Sequence, residues 1–281
     1  MEIFYTKMQG AGNDFIVIDN RTYKFSAEQL AKLAAQICQR KFSIGGDALM
    51  AVDYPEGTGD FRMRFYNADG TEAEMCGNGA RCIARYAYEK KIASEAMVIE
   101  TVAGPVPAWR LGKQQYKVTL NPPTVEKFDL DFEDENVSGI DYIELGDPGI
   151  PHAVVNYPKL PETSLEELTD LAQRIRHWSA FPKGANVNFY AVDSAGELIV
   201  RTYERGVEGF TYACGTGSGA TAYVVAKRNG QSNVQLVLHV LGGKLQVEVT
   251  DELQLIGDAV FVSEGKILDE KLTLDEAVGS K

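Results

Sequence analysis

Polar and apolar positions along this chain repeat with the periods of a helix and of a strand. From residue 26, SAEQLAKLAAQI sets Leu30, Leu33, Ala34 and Ile37 on one helical face, and Ser26 with Gln29 has the spacing of a capping box at its start. From residue 164, SLEELTDLAQRI repeats the design: Ser164 and Glu167 supply the box, and Leu168, Leu171, Ala172 and Ile175 supply the stripe. The offset is 164 − 26 = 138 positions. Strand-like runs follow each helix, DALMAVDY and FRMRFY in the first half, VNFYAVD and ELIVRTYERG in the second, so that Arg64 and Tyr66 answer Arg201 and Tyr203. Helix-compatible segments come next, ARCIARYAYEKK and GATAYVVAKRNG, and after them β-rich sequence such as KLQVEVTDELQLIG.

An internal repeat of this length decides the architecture. The pattern predicts an α+β fold of two pseudo-symmetric domains, each a β-sheet curled around a central helix. The division is expected near NPPTVEKF at 121–128, giving an N-terminal half of residues 1–120 and a C-terminal half of 121–263.

Composition narrows the partners. With 281 residues, 44% hydrophobic and 24% charged, the chain has the make-up of a globular protein with room for two cores. A formal charge of −12 disfavours nucleic acid and anionic membrane, which are bound through clustered Lys and Arg. No apolar stretch approaches the roughly 20 residues of a membrane span, and MEIFYTKMQG lacks the basic-then-apolar start of a secretory signal. A cytoplasmic protein handling a small molecule is expected. Four cysteines, at 38, 76, 82 and 214, have no paired C-x-x-C spacing and read as reduced thiols.

Two of those cysteines carry the same device. EMCGNGARC and YACGTGSGA each hold a cysteine, a glycine, a small polar residue and another glycine just before a helix, and 214 − 76 is again 138. A helix N-terminus offers unpaired N–H groups and positive potential, which favour a thiolate and hold a carboxylate. Gly77 and Gly79, like Gly215 and Gly217, let the backbone approach a ligand closely. Brought face to face across a cleft, Cys76 and Cys214 would flank one bound amino acid. One thiolate then removes a proton from carbon and the opposite thiol returns one to the other face, the chemistry of a racemase.

MQGAGNDFIVID, YNADGTEAEMCGNGARC and YERGVEGFTYACGTGSGA resemble the diaminopimelate epimerase family of cofactor-independent amino-acid racemases, over nearly the whole chain. The resemblance implies that Cys76 and Cys214 are the acid and base. It implies that Gly77, Asn78, Gly215 and Thr216 hold the reacting carboxylate, and that Asn13, Asn67, Asn186, Glu204 and Arg205 contact substrate, largely at its distal amino-acid end. It further implies interconversion of LL- and meso-diaminopimelate in lysine and peptidoglycan precursor synthesis, no cofactor (neither pyridoxal phosphate, metal nor nucleotide), and a C-terminal segment, VFVSEGKI or about 264–281, returning to the first domain. A homodimer is left open.

Departures from the family pattern bear on substrate rather than on reaction type. GDPGIPHAVV places Ile150 where many relatives have asparagine, Phe210 and Tyr212 stand at positions often acidic or small-aliphatic, and Ser43 and Ala48 stand where glycine is frequent. They are neutral variation or, as the alternative, mark a racemase of another amino acid, such as histidine. Asn67, Asn186, Glu204 and Arg205 favour diaminopimelate. A silent carboxylate-binding protein or an isomerase like the phenazine-pathway proteins is the rival from another class, and the cysteine pair weighs against it. Cys38 and Cys82 read as packing residues. His152, His177 and His239 show no metal spacing, and neither GAGNDF nor LGGKLQ completes a nucleotide-binding motif.

Overall fold

In the computed structural model, which describes residues 2–73, 75–268, 272 and 274, the apolar runs form strands and both capping-box segments form helices. The chain divides into two units, Met1–Tyr116 with Ala259–Lys281, and Lys117–Asp258. These breaks correct the expected 120 and 263 by a few residues. NPPTVEKF is no linker: it opens strand β9 (Pro123–Leu130) of the second unit, where proline at the first strand position removes no needed ladder bond.

In the first unit, strands β1 (Ile3–Gly10), β2 (Asn13–Asp19), β3 (Ala48–Asp53), β4 (Phe61–Asn67), β6 (Ala96–Thr101) and β7 (Gly104–Arg110) form one mixed sheet. β1/β2, β3/β4 and β6/β7 are antiparallel, whereas β2/β3 and β4/β6 are parallel. A two-residue strand, β5 (Glu72–Ala73), lines β4. The last strand, β18 (Val260–Ile267), pairs with β1, setting Ile3 opposite Ile267. The returning segment is thus VFVSEGKI, ending at Ile267; beyond Leu268, only 272 and 274 of the expected 264–281 lie within the described residues.

Three helices accompany this sheet: α1 (Asn20–Tyr23), α2 (Ala27–Ile37) and α3 (Gly77–Glu89). Both arms of the Ser26/Gln29 capping box are present on α2. Its stripe of Leu30, Leu33, Ala34 and Ile37 packs with Ile16, Ile18, Leu49, Ala51 and Tyr66, each such side chain worth about 1.5–3 kcal/mol when fully buried. α3 is different, since every residue from Gly77 to Ala87 is buried. It packs against β1, β2, β3, β6 and β7, as a helix covered on all sides must. Strand β3 lies between the two helices, with Leu49 and Ala51 toward α2 and Met50 beneath Gly79 of α3. That double burial explains the unbroken apolar run in DALMAV.

The second unit repeats the plan. β10 (Ile140–Leu145), β11 (Ile150–Asn156), β12 (Asn186–Val192), β13 (Leu198–Glu204), β14 (Gly209–Phe210), β15 (Val234–Val240), β16 (Gly243–Val249) and β17 (Leu253–Asp258) follow β9, with α4 (Leu165–Arg176) and α5 (Gly215–Arg228) between them. β8 (Gln115–Leu120) carries the chain into this unit. β11/β12 and β13/β15 are parallel, matching β2/β3 and β4/β6. The starts of β12 and β3 differ by 186 − 48 = 138, and those of α5 and α3 by 215 − 77 = 138. α4 buries Leu168, Leu171, Ala172 and Ile175 against β12 and its neighbours, while α5 is the enclosed helix, buried at ten of its fourteen positions.

Candidate active site

Each enclosed helix starts on a cysteine. Cys76 is the N-cap of α3 (φ −133°, ψ 120°) and Cys214 the N-cap of α5 (φ −109°, ψ 113°). The extended cap leaves the first-turn N–H groups unused by the helix, at the positive end of its dipole. At α5, Cys214 Sγ accepts from Gly217 N at 3.4 Å and lies 3.6 Å from Thr216 Oγ1. A backbone N–H donor favours the thiolate form. The second glycine of each motif is dictated by close approach. A Cβ on Gly79 would lie 3.0 Å from the Phe65 ring and 3.1 Å from Met50 Sδ, and one on Gly217 would collide with Asn188 Oδ1.

In the first unit, the sheet end that meets the start of α3 gathers the remaining site residues predicted there. Asn13 opens β2, Asn67 closes β4, and Ala48, which pairs with Asn67, opens β3. Asn78, fully buried in the first turn of α3, donates through Nδ2 to Asn13 Oδ1 and accepts from Arg81 Nη2 at 3.0 Å. Asn67 is exposed and donates to Thr71 Oγ1 at 3.0 Å. Behind Asn13 stands a charge cluster that motif reading passed over. Arg40 bridges Asp14 and Asp47, and Lys7 pairs with Asp14 at 2.6 Å. Burial raises the Asp14 carboxyl's pKa, but hydrogen bonds from Arg40 and Lys7 outweigh it and hold the group below the usual carboxylate range. The signal was present in GNDF and GGDA, each with an aspartate at a strand start.

The second unit arranges its own set in the same way. Asn186 opens β12 and is buried; its Oδ1 accepts from Arg205 N at 2.8 Å and its Nδ2 donates to Pro151 O at 3.3 Å. Glu204 closes β13 and accepts from Thr211 Oγ1. Arg205 is exposed and donates to Lys183 O at 3.2 Å. Ile150 starts β11, half-buried, opposite Leu145. Phe210 is partly buried, and its ring packs on Tyr203 and Phe189, so packing accounts for its size. Tyr212 is exposed.

The two helix starts rest on unlike floors. Under α3 lie Phe15, Met50 and Phe65, with Phe15 and Phe65 edge to face at 6.1 Å. At the corresponding positions of the second unit stand His152, Asn188 and Thr202, all buried. Asn188 Nδ2 is shared among His152 Nδ1 at 3.3 Å, Ala153 O at 3.2 Å and Asn186 O at 3.4 Å, while its Oδ1 accepts from Thr202 Oγ1 at 2.9 Å. Because Asn188 donates to Nδ1, the ring proton of neutral His152 belongs on Nε2.

Burial, helped by the charge of Arg205, pushes the His152 imidazole down to about 3 from 6.5. The unfolded chain therefore takes up this proton first as pH falls. The stability involved is complete above pH 6.5 and is lost at about 1.4 kcal/mol per pH unit on the way toward 3. Denaturation between pH 6.5 and 4.5 should show this slope in the native protein and a shallower one in His152→Gln. Equal slopes would exclude the buried imidazole as its source.

The other cysteines are core groups. Cys38 ends α2 and Cys82 lies within α3, and burial pushes both thiols up to about 12. One set of possible metal ligands is brought together among the described residues, Asp193, Glu197 and His239, with ligand atoms within 4.8 Å of one another. Pairing of β13 with β15 unites them, which sequence spacing cannot reveal. Lys244 already pairs with Glu197 at 3.1 Å. The set lies at the far ends of β12 and β13 from Asn186 and Glu204. Among the described residues, no helix is long and apolar enough to cross a membrane.

The family model described as diaminopimelate epimerase matches residues 5–124 and 146–266. The chain belongs to the diaminopimelate epimerase family. A diaminopimelate epimerase from Hydrogenobaculum sp. (strain Y04AAS1) is 38% identical, over 93% of this chain and 97% of its own. That of Archaeoglobus fulgidus is 36% identical, over 98% and 100%. Among solved structures, a probable proline racemase from Agrobacterium radiobacter K84 superposes with a TM-score of 0.69 at 16% identity, covering 97% of this chain and 93% of that one. A phenazine biosynthesis protein from Enterococcus faecalis gives 0.68 at 14%, covering 95% and 99%. At those identities the likeness is one of fold. Both cysteine motifs fall inside the segments matched by the diaminopimelate epimerase model, and 125–145, most of β9 and all of β10, falls between them.

Proposed function

We propose that this chain interconverts LL- and meso-diaminopimelate by passing a proton between carbon and two sulfurs, Cys76 and Cys214. The observation that carries the reading is the duplicated placement of a cysteine as N-cap of an enclosed helix. The thiolate of one cysteine takes the α-hydrogen as a proton. The Cα–H electron pair spreads into the carboxylate, and the S–H of the other cysteine protonates the opposite face. Bonds and charge balance: one C–H and one S–H break, and one of each forms. First-turn N–H groups at Gly77, Asn78, Gly215 and Thr216 are suited to the growing carboxylate charge, because fixed donors need no reorganisation as it develops. Asn13, Asn67, Asn186, Glu204 and Arg205 supply donors and charges for the distal amino-acid end.

Incubation in D₂O with LL-diaminopimelate, and separately with L-histidine, tests this. Deuterium should enter the α-position of diaminopimelate with appearance of the meso isomer, while histidine stays unlabelled. Labelling and inversion of histidine alone would transfer the chain to racemases of another amino acid. No labelling of either would remove the proton-transfer reading.

A further inference from the structure

Two asparagines beside Cys76 lie in a row between fixed charges. Asn13 Nδ2 donates to Asp47 Oδ2 at 3.2 Å, Asn13 Oδ1 accepts from Asn78 Nδ2, and Asn78 Oδ1 accepts from Arg81 Nη2 at 3.0 Å. The order is carboxylate, amide, amide, guanidinium. A side-chain amide exchanges its donor and acceptor ends by a half-turn, at little cost where its neighbours are indifferent. Here they are not. A carboxylate accepts only and a guanidinium donates only, so turning Asn13 sets oxygen against the Asp47 carboxylate and nitrogen against Asn78, and turning Asn78 faces its nitrogen to Arg81.

Asp47, though exposed, is itself held through both carboxylate oxygens and its backbone N–H. Oδ2 also accepts from Asp14 N at 3.1 Å, Oδ1 accepts from Arg40 at 2.8 Å, and Asp47 N donates to Asp14 O at 2.8 Å. Arg81, at the other end, is fully buried and also donates to Gly77 O at 3.4 Å. We propose that Asp47 is a positioning residue of the reaction: from the end opposite Arg81 it fixes the amide orientation of Asn13, the partner of Asn78 in the first turn of α3. With Oδ1 engaged by Asn78 and one Nδ2 hydrogen engaged by Asp47, the second Nδ2 hydrogen of Asn13 is the donor left for a ligand. That suits an acceptor such as a substrate carboxylate. Asp47 touches no substrate in this account; it acts through Asn13.

The inference rests on the proposed function, in which Asn13 belongs to the substrate site, and a double-mutant cycle separates the two. Asp47→Asn keeps the shape and removes the charge that decides the orientation. In the native background it should lower kcat/KM for LL-diaminopimelate about tenfold or more, and in an Asn13→Ala background less than about twofold, because the group it acts through is gone. Asp47→Glu retains an acceptor-only carboxylate and should recover most of the loss. Asp47→Ala replaces Asp47→Asn in the cycle if that variant does not fold. Equal factors in the two backgrounds would reduce Asp47 to a structural role and overturn the proposal, with Asn13 still in the site. An Asn13→Ala variant with unchanged kcat/KM would instead remove Asn13 from the site, and the inference with it.

Discussion

Replacing Cys76 or Cys214 by alanine is expected to lower the rate of inversion by about 10³-fold or more in each case, a loss at the upper end of what one acid–base group supplies. The size follows from the division of labour. Inversion needs a proton removed on one face and delivered on the other, so neither sulfur substitutes for its counterpart. A sharper signature separates this from general damage. In D₂O, the sulfur that remains still removes and returns a hydrogen on its own side. Each variant should therefore label one stereoisomer with retention and leave the other unlabelled, and the two variants should choose opposite isomers. The fold should persist, since the change deletes a single sulfur from Cys76, which is half-buried, or from Cys214, which is 9% exposed. Inversion at the native rate by either variant, or the same isomer labelled by both, would end the two-sulfur mechanism.

Gly217→Ala should unfold the second unit more readily and cost more than the matching Gly79→Ala. At Gly79 the new methyl meets the edge of Phe65 and the sulfur of Met50, and a flexible methionine gives way by a few tenths of an ångström. At Gly217 it meets the oxygen of Asn188, which is anchored to Thr202, His152 and two backbone carbonyls. Moving Asn188 strands buried polar groups at about 1–3 kcal/mol each, whereas overpacking alone costs about 1–3 kcal/mol in total. Denaturant midpoints should fall accordingly, with Gly217→Ala below Gly79→Ala. Its kcat should fall too, because relieving the clash with Asn188 shifts the residue 217 N–H that donates to Cys214 Sγ. A Gly217→Ala protein as stable as Gly79→Ala would contradict the rigid polar floor.

Much of this was legible in the sequence, for identifiable reasons. The capping boxes at Ser26 and Ser164 and their four-residue stripes declare helix starts and buried faces directly, and both helices begin where those residues place them. The repeat was legible because the same capping boxes, apolar stripes and cysteine–glycine motifs recur at a spacing of 138 positions. Other features are set by pairing across distance. The Asp14, Arg40 and Asp47 cluster requires the parallel alignment of β2 with β3, which sets Phe15 beside Ala48. The contrast between Met50 and Asn188 becomes visible only when each is seen beneath its glycine. Phe210 looked like a substrate signal because its two aromatic neighbours, Phe189 and Tyr203, stand 21 and 7 positions away in the chain. NPPTVEKF looked like a boundary because prolines open strands as well as linkers.

The pairing of β18 with β1 bears on how the polypeptide matures as it leaves the ribosome. The second unit is one continuous stretch, and everything it needs has emerged once Asp258 is out. The first unit is not, because β1, made before the second unit, has one edge without a strand until Val260–Ile267 is translated. An open edge is where nascent chains cross-pair and clump. The sheet of the first unit is thus completed only after the whole second unit has been made, and a chain truncated before Val260 leaves that edge exposed.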